Sequence, residues 1–349
     1  MKRILLLLLV LGAVCSLNAK TRKCLYRVTV TGKRAECPVV IRDVSEWAQS
    51  AVVSLGGVHR IPSQLDRELD ELVFVSDISG SQNFQVLYSS DPDKRVFKKR
   101  VHAQMWLKNP DKTLRAVGCA SLEKNDMYHK LHHHGPAFES EYAAYRIYFD
   151  NKQTVDTYGK KRPQLELAET MWYPSDEQLS RGYGNLRVFG SVGVGTLKGW
   201  DAEKRKMVHI TDFKRREARI LADGPIRTVV EMRVEGWRYG GREITMTSRY
   251  ILYAGHGDVQ VENRIEGDFR GLVFTTGVMK MAESEVCKND NVIAAFGRDF
   301  PENDTVKWER ESVGLAVAVP QRQIVSQTDD KTSYLFQLTP DARGRIDYA

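Results

Sequence analysis

Apolar and polar residues alternate along most of the chain. Residues 227–235 (RTVVEMRVE) and 244–253 (ITMTSRYILY) place apolar side chains beside charged residues or threonines, and residues 258–265 (DVQVENRI) repeat the pattern. Successive side chains of a strand point to opposite faces, so a period of two predicts strands with one buried face. Long helical patterns are scarce, and short turns rich in glycine, aspartate and asparagine separate the strands. We therefore predict an all-β fold built as a large antiparallel β-sandwich.

The first third of the chain predicts a smaller unit. Residues 25–32 and 38–41 form two predicted strands around a polar turn, and residues 72–75 form another. We predict an N-terminal β unit over residues 20–110, followed by the sandwich over residues 111–349. The chain has no internal repeat and no low-complexity linker that would add a further domain.

Residues 1–19 have the pattern of a signal peptide. Two basic residues precede the apolar run 4–14, and small residues follow up to Ala19. This run is too short to span a bilayer permanently, so we predict export to the periplasm or beyond, with cleavage near Ala19 and no stable membrane span. A lipoprotein anchor at Cys15 is the alternative, which Val14 before it disfavours.

The charge balance limits the class of partner. The chain has 52 basic and 45 acidic residues, and its formal net charge is +7. Loss of Lys2 and Arg3 with the signal peptide would leave a net charge of about +5. This mild excess suits an anionic oligosaccharide or polysaccharide, and export disfavours nucleic acid. Cys24 and Cys37 flank the predicted N-terminal turn, and the sequence leaves open whether they form a disulfide or remain buried thiols.

The stretch 132–162 concentrates the reactive side chains. Three histidines precede Gly135 and Pro136, and residues 141–150 then alternate with a period of two. One face of this predicted strand is mainly apolar and suits a core. The other face carries Tyr142, Ala144, Arg146, Tyr148 and Asp150. We expect this polar face to line a carbohydrate cleft.

Four stretches resemble the DUF4861 family of exported bacterial proteins. They are IPSQLD with DELVF (residues 61–74), HHHGPAFESEYAAYRIYFDN (132–151), TVDTYGK (154–160) and ILADGPIRTVVE (220–231). The resemblance implies a galactose-mutarotase-like β-sandwich and a role in the breakdown of uronic-acid polysaccharides, as a lyase or a dehydratase. It also implies a further strand and a terminal helix beyond GRIDYA, where this chain stops.

Elimination from a uronate requires a base that removes the C5 proton. His132, His133 and His134 are candidate bases because imidazole titrates near neutral pH. In an extended segment, His132 and His134 would face one side and His133 the other, and we favour His134. His209 is a further candidate. A solvated turn is the ordinary structural interpretation of the three consecutive histidines.

The same reaction requires a cation for the carboxylate and an acid for the leaving oxygen. Arg146 is the candidate cation, since a guanidinium group matches a carboxylate geometrically; its structural alternative is an ion pair with Glu141 or Asp150. Tyr148 and Tyr158 are candidate acids, and a buried, hydrogen-bonded tyrosine is the structural alternative for each.

Glu139 and Glu141 raise a second hypothesis, a glycoside hydrolase. Two residues apart on one strand, their side chains would share a face at roughly 6–7 Å. Hydrolytic carboxylates must flank the scissile bond from opposite sides, so we rank hydrolysis below elimination. A non-catalytic glycan-binding protein is the third hypothesis.

Further residues are candidates for sugar binding. They are Glu141, Tyr142, Lys160, Arg162, Trp172 and Trp237. No HExxH spacing and no phosphate-binding glycine motif occurs in the sequence, so we assign no cofactor and no metal. A metal site formed by His132, His134 and Glu139 is conceivable on residue types alone.

Overall fold

The computed structural model describes most of the chain. The described residues are 9–10, 14–18, 21–93, 95–123, 127–170, 173–186, 188, 190–281, 283–300 and 305–349. Most of the predicted signal peptide, including its cleavage site, and the candidate Trp172 lie outside these residues. Across the described ranges, no helix is both long and apolar enough to cross a membrane.

The N-terminal sheet contains seven strands dominated by two long ones. Its strands are β1 (Leu9–Val10), β2 (Val14–Asn18), β3 (Thr21–Arg42), β4 (Ser50–Leu55), β5 (His59–Ile61), β6 (Ser63–Asp66) and β7 (Glu71–Ser89), with the order β1-β3-β7-β4-β5 and with β2 on β3 and β6 on β7. β3 and β7 pair along nearly their full length. This sheet has its own core, which includes Val28, Val39, Phe74, Phe84 and Val86.

The predicted turn between residues 32 and 38 is not formed. β3 runs through this polar stretch and shifts its register against β7 only between Arg34 and Cys37. Cys24 and Cys37 therefore lie on the same strand, roughly 40 Å apart at the usual rise per residue, and cannot form a disulfide with each other. Cys37 is buried as a free thiol. Here β3 is largely exposed on both faces, so its sequence is polar without alternation and the pattern did not distinguish a continued strand from a turn.

The rest of the described residues form twenty-one strands and one short helix. They are β8 (Val101–Gln104), β9 (Trp106–Lys108), β10 (Leu114–Ala116), β11 (Cys119–Glu123), β12 (Ala137–Ser140), β13 (Ala143–Ile147), β14 (Val155–Lys160), α1 (Asp176–Ser180), β15 (Tyr183–Asn185), β16 (Lys198–Asp201), β17 (Lys206–Val208), β18 (Arg215–Asp223), β19 (Arg227–Tyr239), β20 (Arg242–Tyr253), β21 (Val259–Gly267), β22 (Phe274–Met279), β23 (Glu283–Lys288), β24 (Val292–Asp299), β25 (Glu311–Ala318), β26 (Ile324–Asp329), β27 (Ser333–Leu338) and β28 (Arg345–Tyr348). Short 3-10 turns occur at Arg67–Leu69, His132–His134 and Gln321–Gln323.

These strands form an antiparallel sandwich. The long sheet has the order β11-β18-β19-β20-β21-β28. Two five-stranded sheets oppose it: the site sheet, β15-β14-β13-β12-β8, and a second sheet, β17-β16-β22-β27-β26. A hairpin sheet, β23-β24-β25, and the small pair β10-β9 complete the fold. The predicted all-β sandwich with an N-terminal β unit is confirmed. β8, which falls within the predicted N-terminal unit, pairs with β12 of the site sheet.

The main core lies between the long sheet and the two five-stranded sheets. It includes Val230, Met232, Tyr250, Phe138, Ile147, Phe149, Phe274 and Phe336. Trp237 is fully buried in this core, and its indole stacks on Tyr239 with ring centroids 4.9 Å apart. The candidate sugar-binding Trp237 is thus enclosed by protein.

A buried polar contact joins the N-terminal sheet to the long sheet. The Gln64 amide accepts hydrogen bonds from the backbone N–H groups of Ile226 and Arg227, at 2.9 Å each, and donates to the Arg227 carbonyl oxygen at 2.9 Å. The buried Arg227 guanidinium donates to Asp66 at 2.9 Å and to Glu71 at 2.6 Å. Because both partners come from the N-terminal sheet, Arg227 fixes that sheet against the sandwich.

Substituting Arg227 with Met should lower the free energy of unfolding by roughly 3–5 kcal/mol, since Asp66 would stay buried without its partner. Arg42→Met is the matched control: Arg42 also contacts Glu71, at 3.0 Å, but its side chain is 73% exposed. We expect the control to lose less than about 1 kcal/mol. Urea unfolding measures both values, and equal losses would contradict this assignment.

Candidate functional site

The three consecutive histidines form one tight turn. His132–His134 is a 3-10 turn in which His133 and His134 have φ values of 56° and 62°. The turn agrees with the ordinary structural interpretation of these histidines, but all three side chains are buried and not solvated. The turn is held against β13: a Cβ on Gly135 would lie 1.9 Å from the carbonyl oxygen of Ile147, so only glycine fits. Left-handed backbone at two non-glycine residues is strained, and such strain tends to occur at functional sites.

His134 has a defined tautomer and an aromatic environment. Its Nδ1–H donates to the Tyr128 carbonyl oxygen at 2.8 Å, which places the lone pair on Nε2. The ring stacks on Tyr128 with centroids 3.7 Å apart and lies 5.9 Å from the ring of Tyr148. Burial lowers the pKa of His134 to about 4. The imidazole is therefore neutral at neutral pH and carries the lone pair that a base needs.

Arg146 is buried beneath these rings and forms an ion pair. Its Nε and Nη2 lie 2.8 and 2.7 Å from Asp156 Oδ2. The pair follows from strand register, because Arg146 on β13 is directly opposite Asp156 on β14. The guanidinium also lies over the rings of Tyr148, Tyr158 and Tyr173, at 4.8, 5.4 and 5.2 Å from their centroids. Its charge is thus balanced by Asp156, and not by Glu141 or Asp150.

The hydroxyl of Tyr148 is placed to act as a proton donor. It accepts a hydrogen bond from Arg146 Nη2 at 2.7 Å and donates to Asp156 Oδ2 at 3.3 Å. Burial raises the pKa of Tyr148 well above its usual range, with the Asp156 carboxylate acting in the same direction. The phenol therefore keeps its proton in the resting protein, and the adjacent guanidinium would stabilise a phenolate if that proton were transferred.

A pocket opens beside this cluster. We call it the aromatic pocket; its volume is about 350 Å³. Its lining comprises Tyr128, His129, Tyr148, Asp150, Asn151, Lys152, Thr154, Val188 and Gly190. The phenols of Tyr128 and Tyr148 form one wall, and the turn between β13 and β14 forms another. Such a pocket can accept a single sugar ring against aromatic faces and present it to polar groups.

Glu139 and Lys160 form a second buried ion pair, on the same side of the site sheet. The Lys160 ammonium contacts the Glu139 carboxylate and donates to the carbonyl oxygens of Ser140 and Gln164, at 2.7 and 2.9 Å. Glu139 also accepts the Leu167 backbone N–H at 2.9 Å. Both side chains are at most 1% exposed. They hold the segment after β14 over the sheet.

Glu139 and Glu141 each contact other residues and do not lie on one strand. A bend at residues 141 and 142 separates β12 from β13, so Glu139 and Glu141 do not share one strand. Glu141 pairs with Arg100 and accepts the Gly255 backbone N–H at 3.1 Å. Each carboxylate already has a cation and a backbone donor. The expectation that the two residues share one strand is wrong, because the chain bends between them.

Several other candidates are enclosed by protein. His132 Nε2 lies 3.4 Å from the Thr170 carbonyl oxygen. His133 Nε2 lies 2.9 Å from the amide nitrogen of Gln104, and burial holds the pKa of His133 well below its usual range. Tyr158 is fully buried and stacks on Tyr183, with centroids 5.3 Å apart. These residues support the site from behind, outside the lining of the aromatic pocket.

The remaining candidates lie away from the pocket lining or behind it. His209 contacts the buried Lys198 at 3.2 Å. Tyr142 is 52% exposed, and Arg162 is exposed on a turn. Within the part of the chain that the structure describes, no group of three or more His, Cys, Asp or Glu side chains is arranged to hold a metal ion.

Residue patterns missed several residues of the site. Tyr128 and Tyr173 lie outside the alternating stretch, and Lys198 lies on a strand remote in sequence. Only Asp156 could have been predicted locally: its strand, in residues 154–160, follows the Arg146 strand directly, and a hairpin places two such strands side by side. The others become neighbours only through the tertiary structure.

The fold and this site define an antiparallel β-sandwich with a buried charge cluster beneath an aromatic pocket. A family model described as a domain of unknown function, DUF4861, matches residues 33–349. The chain therefore belongs to the DUF4861 family, as the four stretches indicated. No match was found among curated proteins or among solved structures.

The pKa of His134 predicts acid sensitivity. An unfolded imidazole titrates near about 6.5, whereas folded His134 titrates at about 4. Between these values the unfolded state binds more protons, so His134 makes stability fall as the pH decreases through this window. His134→Gln should reduce the drop in thermal midpoint between pH 7 and pH 5, and substitution of the exposed His59 should not. An unchanged drop in His134→Gln would contradict the shifted pKa.

Lys160→Met should destabilise the protein by roughly 3–5 kcal/mol, because Glu139 would remain buried without its cation. The neighbouring Lys161 provides the control: its side chain is 66% exposed and pairs with Glu311. Lys161→Met should change the free energy of unfolding by less than about 1 kcal/mol. If Lys160→Met instead kept full stability and lost only sugar affinity, Lys160 would be a binding residue.

Proposed function

We propose that this chain is an exported carbohydrate-active enzyme that catalyses β-elimination on uronic-acid-containing glycans, as a lyase or as an oligosaccharide dehydratase. The observation that carries the proposal is the pairing of a neutral imidazole and a protonated phenol within one aromatic cluster. His134 and Tyr148 have ring centroids 5.9 Å apart, and Arg146 donates to the Tyr148 hydroxyl at 2.7 Å.

The proposed roles follow from the protonation states of these groups. His134 Nε2 takes the proton from C5 of the uronate, and the electron pair of that C–H bond forms the C4=C5 double bond. The bond from C4 to the leaving oxygen breaks, and the Tyr148 hydroxyl protonates that oxygen. Arg146 stabilises the resulting phenolate through the hydrogen bond already present. The leaving group is water in a dehydratase and a sugar in a lyase.

A base with a depressed pKa suits an anionic substrate. A free imidazole with a pKa of about 4 is a weak base, but a carboxylate bound next to it would favour the protonated form and raise that pKa. The proton affinity of His134 would thus increase when the uronate is present. Exclusion of water by the stacked rings of Tyr128 and Tyr148 would strengthen this interaction.

The alternative is a glycan-binding protein without catalysis. The stack of Tyr128 on His134, at 3.7 Å, would offer a flat surface to a sugar ring without any proton transfer. A binding protein requires this surface, but it does not require a protonated Tyr148 hydroxyl beside a neutral His134 imidazole. The two hypotheses therefore differ in how conservative substitutions affect turnover and affinity.

The test is to incubate the purified protein with uronate-terminated oligosaccharides and to follow ultraviolet absorbance of the conjugated product, with mass spectrometry. We expect rising absorbance, with loss of one water for a dehydratase or shorter fragments for a lyase. Tyr148→Phe and His134→Gln should each lower kcat by about 10²–10⁴-fold while affinity is largely kept. Tyr142→Phe, at an exposed position, is the control.

Two results would overturn elimination. Binding without absorbance change or new masses would establish the binding protein. Cleaved sugar without a double bond would establish hydrolysis, and the catalytic carboxylates would then have to be found outside the Glu139 and Glu141 pair, which is already committed to other partners.

A further inference from the structure

Lys198 is a fully buried lysine in direct contact with the wall of the aromatic pocket. It lies on β16 with 0% of its surface exposed. Its ammonium donates to the Lys152 carbonyl oxygen at 2.7 Å, to Thr154 Oγ1 at 3.2 Å and to His209 Nδ1 at 3.2 Å. All three hydrogens of the ammonium thus have acceptors, and each acceptor is a neutral group.

The charge of Lys198 is not balanced by direct contact. Among the described residues, no carboxylate lies within ion-pair distance of its ammonium. Burial of a cation without an anion is costly, and such groups are retained mostly where they serve function. The hydrogen bonds explain how the site tolerates the ammonium. They supply no compensating negative charge.

Lys198 and a second buried cation hold the same turn. Arg216 on β18 is also fully buried, and its guanidinium donates to the carbonyl oxygens of Asp150 and Ile210. The turn at residues 150–154 connects β13 to β14 and supplies Asp150, Asn151, Lys152 and Thr154 to the aromatic pocket. Two buried basic side chains therefore lie directly behind this wall, in a region of low dielectric where water does not screen their charge.

We propose that the turn at residues 150–154, backed by Lys198, is the subsite for the substrate carboxylate, and that Lys198 is the positioning residue that makes the pocket selective for anionic sugars. This inference rests on the proposed function and deepens it. It assigns the carboxylate to the Lys152 side of the pocket because the charge of Arg146 is already balanced by Asp156. Lys198 acts through the turn and through its field, without touching the substrate.

The groups that face Lys198 determine the direction in which its pKa shifts. They are His209 after β17, Asp150 and Lys152 in the turn, Arg216 on β18 and Asp330 after β26. Burial lowers the pKa of Lys198 to about 7; Lys152 and Arg216 act in the same direction, and the carboxylates of Asp150 and Asp330 oppose them. Raising the pH above neutral therefore removes the positive charge behind the wall.

The experiment compares a saturated uronate disaccharide with its methyl ester, which has the same shape and no charge, by calorimetry. Wild-type protein should prefer the carboxylate by about tenfold or more. Lys198→Met should remove this preference and leave ester affinity unchanged, whereas Lys198→Arg should keep part of it. Lys206→Met, an exposed lysine on β17, is the control. In wild-type protein, the preference should also decline between pH 6 and pH 9, which tests the inference even if a variant does not fold.

Each other result is decisive. Equal losses for carboxylate and ester in Lys198→Met would show a purely structural lysine, and a wild-type protein without carboxylate preference would remove the subsite. If uronates are eliminated but Lys198→Met keeps the preference, the inference fails and the proposed function stands. If no elimination occurs but the preference depends on Lys198, the inference stands and the proposed enzymatic function fails.

Discussion

The structure of this site depends on burying charges in pairs on the outer side of the site sheet. One face of β12, β13 and β14 packs into the apolar core, and the other face carries Arg146 with Asp156 and Glu139 with Lys160, all essentially excluded from solvent. Neither pair tolerates loss of a partner, because the remaining charge would be buried alone. The strand register that pairs these residues and the segment after β14 that covers them therefore depend on each other.

This constraint explains why the reactive groups lie where they do. The Arg146 and Asp156 pair fixes the Tyr148 hydroxyl from below, and the strained histidine turn brings the His134 ring beside it. Gly135 permits the close approach of that turn to β13. The Tyr148 phenol in the wall of the aromatic pocket and the His134 ring stacked behind Tyr128 are thus both held in place, while the other wall is a turn held by buried basic side chains. Preorganisation of this kind suits a reaction in which charge develops in the transition state.

The N-terminal sheet is attached to the sandwich by the same physics. Arg227 is buried between Asp66 and Glu71, and Gln64 satisfies the adjacent backbone. A small apolar cluster surrounds this contact, with Val73 and Val75 against Val229 and Ile251. The residues that line the aromatic pocket include none from the N-terminal sheet, so among the described residues it contributes to the attachment and not to the pocket wall.

The sequence by itself determined the fold class, the family and the faces of the strands, because a period of two depends only on neighbouring residues. It also grouped Arg146 with Tyr148 on one face of the predicted strand at residues 141–150. Only the tertiary structure decided which partners these groups meet. Asp156 depends on strand register, the bend between Glu139 and Glu141 depends on the hairpin, and the contact of Lys198 with the 150–154 turn joins residues more than forty positions apart. These contacts arise from strand register, from bends between strands and from packing between sheets, which the alternation of apolar and polar residues does not encode.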